Sequence, residues 1–172
     1  RVRIRARHEG VVRRDPSQAA TPDLTIVSAA NDRYRARDLA VLVQMREKAT
    51  KEGLNVRIVS YNLGGESTCP DGSLPGIWAK YGIEYREFNF DRYPSHVANL
   101  HCYAWKPPII DEVLQESSGN TVVMWVDSGA TVVMSLTKII ALTKQNNGFL
   151  SDETAKGLAR FSHEKQLDYA VA

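Results

Sequence analysis

A carboxylate, Asp127, stands directly after the six uncharged residues Thr121 to Val126 and is followed by Ser128 and Gly129. An acid leaving an apolar strand can ligate a divalent cation or accept from a ribose hydroxyl, and a glycine beside it lets a ligand approach the main chain. The same pattern also suits a turn or cap residue. Lys106 precedes Pro107 and Pro108, and two prolines fit only the first turn of a helix, where a missing N–H costs nothing. A cation there opposes the helix dipole, so Lys106 either faces an anion or is an exposed lysine. A third group closes the apolar stretch that begins at Leu24: Ser28, Ala29, Ala30, Asn31 and Asp32. Small residues leave room for a flat ligand that Asn31 or Asp32 would bond, or they form an ordinary strand-to-helix turn.

The elements that must position these groups follow from periodicity. DLTIVSAAN reads as a short strand, and residues 35 to 52 read as an amphipathic helix burying Leu39, Leu42, Val43 and Met45, with Gly53 as its stop. NVRIVSYNLG alternates as a second strand, with turn chemistry at Tyr61, Asn62, Leu63 and Gly64. Residues 64 to 82 show no sustained period and read as a loop, and EYREFNF reads as a third strand. The stretch from Ser95 to Trp105 is helical or irregular, with Tyr103 and Trp105 as core or wall residues and His96 and His101 as structural histidines. Ile109, Ile110, Val113 and Leu114 mark the buried stripe of the helix after the prolines. TVVMWV, the most apolar short run, reads as a central strand buried on both faces, and TVVM from Thr131 as a second short strand. Ser135 caps a helix carrying Ile139, Ile140 and Leu142, and a last helix begins after Ser151.

Strands alternating with helices predict an α/β fold, a mainly parallel sheet with helices on both faces. In such sheets the ligand crevice lies beyond the carboxyl ends of the strands, where Asn31 and Asp127 stand.

The 172 residues, 43% hydrophobic, suffice for one core. The expected division is a basic arm at 1–22 and a single α/β domain, partial at its C-terminus, at 23–172. The net charge of +2 is uneven: the arm holds six arginines against Glu9 and Asp15, which leaves the rest near −2. The arm is a solvated tail or, from the alternation of Val2 and Ile4 with arginine, an edge strand. Nucleic acid is an unexpected partner, since the folded part has neither a basic surplus nor a reader motif. No apolar run reaches the roughly 18 to 20 residues of a membrane span. Cys69 and Cys102 match no metal spacing and are two free thiols or one disulfide.

HVANLHCYAWKPPIIDEVLQES, followed after Ser118, Gly119 and Asn120 by TVVMWVDSG, resembles a pair of motifs in glycosyltransferases of the GT-A (Rossmann-like) type. It is closest to a little-characterised group of eukaryotic glycosyltransferase-like proteins. The resemblance implies a GT-A fold in which Asp127 contacts a sugar nucleotide or its Mn or Mg ion, and Lys106 lies by the phosphates or the sugar. Ala29, Ala30 and Asn31 would border the nucleoside, with Asp32, Ser128 and Gly129 in the same donor site. ARFSHEKQLDYAV resembles a downstream histidine-bearing segment, which would bring His163 to the metal. The implied reaction is sugar transfer from a nucleotide sugar to a hydroxyl of a glycan, protein or lipid, in the secretory pathway if an anchor precedes this segment. The acidic motif usually has a second acid two places on, where this chain has Gly129. A metal-independent mechanism therefore stands beside the metal-dependent one. The alternatives are a non-catalytic nucleotide-binding or degenerate, truncated transferase module, and an α/β interaction domain with a basic arm.

Overall fold

Leu24–Ala30 carries no charge and mixes β-branched with small residues, and as strand β1 it is buried at every position. The structure, a computed structural model, describes residues 21–64, 74–148 and 150; the arm, Cys69, His163 and the helix expected after Ser151 lie outside them. Two compact units divide the chain, Arg1–Ala130 and Thr131–Ala172.

In the first unit β1 is followed by helix α1 (Arg35–Lys51), strand β2 (Val56–Asn62), helix α2 (Leu74–Lys80), strand β3 (Glu84–Glu87), three short 3-10 turns between Phe90 and Cys102, helix α3 (Lys106–Glu116) and strand β4 (Val122–Trp125). The strands form a parallel sheet in the order β3-β2-β1-β4. The chain thus builds outward to β3 and returns to the other side of β1, and the α/β class with a parallel sheet is as expected. Side chains alternate between the faces of a strand. Val27, Ala29, Val59 and Tyr61 face α3, packing with Ile109 and Val113. Ser28 and Ser60 face α1, where both bond Asp38. The sheet is covered on both sides.

Four local expectations need correction. TVVMWV is not central: β4 edges the described sheet and its residues are half-buried, whereas β1 has a strand on either side. An apolar run reports a preference for leaving water, not a rank among neighbours. Thr131 to Met134 form no strand, and Val133 is 88% exposed; four β-prone residues need a partner to pair with. The stretch after Gly64 contains helix α2, anchored by Trp78 against Tyr85 at 4.7 Å between ring centroids. EYREFNF leaves the ladder after Glu87, because Asn89 turns its side chain onto the Asp91 N–H and starts a 3-10 turn.

The buried stripe of α1 is Arg35, Asp38, Leu42, Met45 and Ala49, with Leu39 and Val43 only half-buried. Its steps of three and four residues are those of one helix face. Gly53 ends the helix at φ 68°, and Leu54 N–H reaches back to Ala49 O at 3.0 Å. Pro107 and Pro108 occupy the first turn of α3 as expected.

The α3 face carries a charge lattice. Arg86 bonds Glu84, Glu112 and Glu116, Arg57 bonds Glu84 and Glu116, and Tyr61 Oη donates to Glu112. The bonds from Arg86, then those from Arg57, hold the Glu116 carboxyl at about 2, below its ordinary 4.5. A depressed folded value means stability present above pH 4.5 and lost as pH falls toward 2. Glu116 is partly exposed, so screening reduces its contribution to about 1 kcal/mol. Glu116→Gln is expected to cost that much in urea unfolding at pH 7 and progressively less below pH 4.5. A cost unchanged down to pH 3 would refute the ion-pair account.

In the second unit, α4 (Leu136–Gln145) starts at Ser135, whose Oγ accepts from Lys138 N–H, as the sequence suggests.

Candidate functional site

Register carries Asp127 to the sheet's carboxyl edge. Val27 pairs with Trp125, and Val126 N–H donates to Val27 O at 2.9 Å. Two residues past that pair come Ala29, still on β1, and Asp127, just beyond the end of β4. Trp125 and Asp127, two apart, share a face, and Trp125 Nε1 donates to Asp127 Oδ1 at 2.8 Å. Lys106 is the first residue of α3, positioned by Trp105, whose buried indole donates to Leu100 O at 3.2 Å. Lys106 Nζ lies 2.7 Å from the same Asp127 Oδ1. Around that ammonium stand the rings of Tyr103, Trp125 and Trp105, at 5.1, 5.3 and 5.6 Å from their centroids. Each such contact is worth roughly 0.5 to 1 kcal/mol near solvent. Burial would raise the Asp127 carboxyl, but the Lys106 and Trp125 bonds and the Lys106 charge outweigh it and hold the acid below its ordinary value. Lys106 therefore does face an anion, the chain's own Asp127.

A second polar group lies at the same edge of β1 and β2. Arg35, buried at the start of α1, donates through Nη2 to Asn62 Oδ1 at 3.2 Å, and Asn62 Nδ2 donates to Glu87 at 2.8 Å. Gly64 N–H also donates to Asn62 Oδ1. Asn62 is thus a structural junction rather than a turn residue alone. Deeper, the fully buried Asp38 accepts from Ser28 Oγ and, at 2.6 Å, from Ser60 Oγ. Burial raises its carboxyl, and the two hydroxyls offset that only in part. The Tyr85 hydroxyl is close enough to feel Arg35, Glu87 and Asp38 but has no bond of good geometry.

The remaining residues singled out by sequence divide. Ala29 and Ala30 are buried, so they offer a ligand backbone rather than side chains, and Ala30 O already accepts from Leu63 N–H. Asn31 is half-buried with Oδ1 shielded and without a partner. Asp32 is exposed and bonds the Arg33 N–H. Ser128 is half-buried and Gly129 exposed, and a Cβ built on Gly129 meets nothing within 4 Å. Trp105 is core as expected, but Tyr103 is exposed, as are His96 and His101. Cys102 is a free, exposed thiol. Arg35, Asp38 and the Trp125 indole were not foreseen; only the last had a signal, its two-residue spacing from Asp127.

As a divalent site the donors are poor. Asp127 Oδ1 already takes two hydrogen bonds, one from a cation, and Gly129 supplies no oxygen from a side chain. Among the described residues no three of His, Cys, Asp or Glu are grouped to hold a metal ion. A groove lined by Thr25, Arg57, Glu116, Ser118 and Thr121 opens at the amino edge, the opposite end from Asp127. Its hydroxyls and paired ions show no convergence on a reacting centre. No described helix is long and apolar enough to cross a membrane.

Comparison with known proteins finds no curated relative. One family, described as a protein of unknown function (DUF1647), matches residues 2–111, more than half of the chain and a span that includes β1, α1, Arg35, Asp38 and Lys106 but ends before Asp127. On that match the chain belongs to the DUF1647 family of proteins of unknown function.

Proposed function

We propose that the carboxyl edge between β1 and β4 binds a nucleotide sugar and that this chain carries a GT-A-like glycosyltransferase domain. The observation that carries the reading is the Lys106–Asp127 pair, standing beyond β4 beside β1. That is where the strand order reverses, and reversal points of open α/β sheets are where ligands bind. The motif resemblance supplies the ligand class. Two buried polar atoms without partners at the same edge, Asn31 Oδ1 and Arg35 Nε, add support, because such atoms are costly unless something bonds them. In this reading the Lys106 ammonium neutralises the leaving diphosphate, Asp127 accepts from a donor hydroxyl, and the acceptor is a hydroxyl of a glycan, protein or lipid. Catalysis is positioning and charge stabilisation. A non-catalytic nucleotide-binding module is favoured by Gly129, which replaces the second acid of the motif.

Thermal-shift titration of the chain with uridine and guanosine diphosphates tests the site. Saturation at about 100 times Kd is expected to stabilise by about 2.7 kcal/mol. Asp127→Asn should weaken binding about tenfold while leaving the unliganded melting temperature nearly unchanged. Hydrolysis or transfer of a sugar nucleotide separates enzyme from binder, and absence of any shift with either nucleotide would refute both.

A further inference from the structure

We propose that the Lys106 ammonium is the resident cation of this site, taking the place at Asp127 that a divalent ion would fill, so that a nucleoside diphosphate binds here without metal. The inference rests on the nucleotide reading above, and it departs from the metal that the motif resemblance implies.

Both described bonds to Asp127 fall on Oδ1, from Lys106 Nζ at 2.7 Å and from Trp125 Nε1 at 2.8 Å. A divalent ion on that oxygen would stand within about 5 Å of the ammonium, and like charges at that distance oppose each other. Hard divalent cations take about six or more oxygens, drawn from carboxylates, carbonyls, waters and substrate phosphates. The place where the motif carries its second acid is Gly129, and the nearest side chain in sequence, Ser128, adds only a neutral hydroxyl. The ligand set is that of a hydrogen-bonded ion pair, not of a metal.

The cage argues that the ammonium is held in place and does not swing freely. The rings of Tyr103, Trp105 and Trp125 cluster beside Nζ, each centroid within 6 Å of it, and Trp105 is itself pinned to Leu100 O. Tyr103 reaches its position at φ 53°, a left-handed conformation that a non-glycine residue rarely adopts. That strain is located at the one exposed wall of the cage. An ammonium has three N–H donors. One is spent on Asp127, which leaves two for phosphate oxygens, while Asp127 Oδ2 remains to accept from a hydroxyl of the same ligand. A diphosphate ester with a neighbouring sugar matches this alternation of donor and acceptor.

The test measures uridine diphosphate and guanosine diphosphate binding by calorimetry, with manganese and with a chelator, on wild type, Lys106→Met and Lys106→Arg. Wild type is expected to bind equally, within about twofold, in both conditions. Lys106→Met should lose at least tenfold with chelator and recover part of it with manganese, because the freed Asp127 can then share an ion with the diphosphate. Lys106→Arg, which keeps the charge, should retain binding within a few-fold. Manganese titration of the protein alone, followed by electron paramagnetic resonance, should find no site that Asp127→Asn abolishes. Wild-type binding that requires manganese, or a Lys106→Met variant that binds like wild type, overturns the inference while leaving the nucleotide reading intact. If neither nucleotide binds in any condition, that reading falls and the resident-cation inference with it, and a manganese site on the free protein that depends on Asp127 would contradict the inference separately.

Discussion

Asp38→Ala is expected to cost about 3 kcal/mol in urea unfolding. The carboxylate is fully buried on α1 and is the shared acceptor for Ser28 on β1 and Ser60 on β2, so it ties the helix to both central strands. Removing it leaves two buried hydroxyls unpaired, at roughly 1 to 3 kcal/mol each, plus a small cavity. Asp38→Asn keeps an acceptor and is expected to cost less than half as much. The pair of variants also fixes a sign. Burial raises the folded Asp38 carboxyl above its ordinary 3.8, so between those two values the folded state binds the proton more readily than the unfolded state. Its contribution is then fully present below pH 3.8 and falls as pH rises through the folded value. The stability of wild type minus that of Asp38→Asn should decrease with rising pH and flatten above that value, opposite in direction to Glu116. A difference that grows with pH would mean that the ionised form is the one the fold prefers. Equilibrium unfolding across pH 3 to 8 reads either outcome.

The contrast between Asp38 and Asp127 explains what was legible in the chain and what was not. Asp127 follows a run of six uncharged residues, and such a break in hydropathy marks a strand end without any knowledge of the tertiary structure. Its lysine partner was legible in part for a similar local reason: two prolines date the start of α3, where a cation either faces an anion or lies exposed. Asp38 had no such local mark. In a helix with charges on several faces, an aspartate beside Leu39 reads as solvated, and only the serines of β1 and β2, 10 and 22 residues away in sequence, make it interior. The same limit governs sheet order. Hydropathy told that Val122 to Trp125 would leave water, but the choice of β1 as the inner strand depends on where the chain turns back after β3, a property of the connections. The small residues Ser28, Ala29 and Ala30, read as room for a ligand, serve first to let α1 and α3 approach β1 closely, with Ala29 in the α3 core and Ser28 bonded to α1. Room for packing and room for a ligand look alike in a sequence.

Trp105→Ala is expected to cost about 4 kcal/mol, within the range for a buried large aromatic, and to disturb the site as well as the core. Trp105 is the residue before α3 and lies buried with Ile109, Val113, Val97 and Phe88. Its ring is 5.8 Å from that of Trp125 and 6.2 Å from that of Tyr103. It therefore sets where the helix begins, and thereby where Lys106 stands. A domain of this size holds roughly 5 to 15 kcal/mol in all, so the loss is a large fraction of the total. Trp105→Phe separates the two roles: it keeps an aromatic wall and most of the apolar area but loses the indole bond to Leu100 O, for about 1 kcal/mol. If packing by Trp105 positions Lys106, the phenylalanine variant should keep nucleotide affinity within a few-fold. The alanine variant, measured at low temperature where it remains folded, should lose at least tenfold. Equal affinity in the folded alanine variant would show that the start of α3 is held by Pro107, Pro108 and Ile109 without Trp105, and would move the cage from the cause of the lysine's position to its consequence.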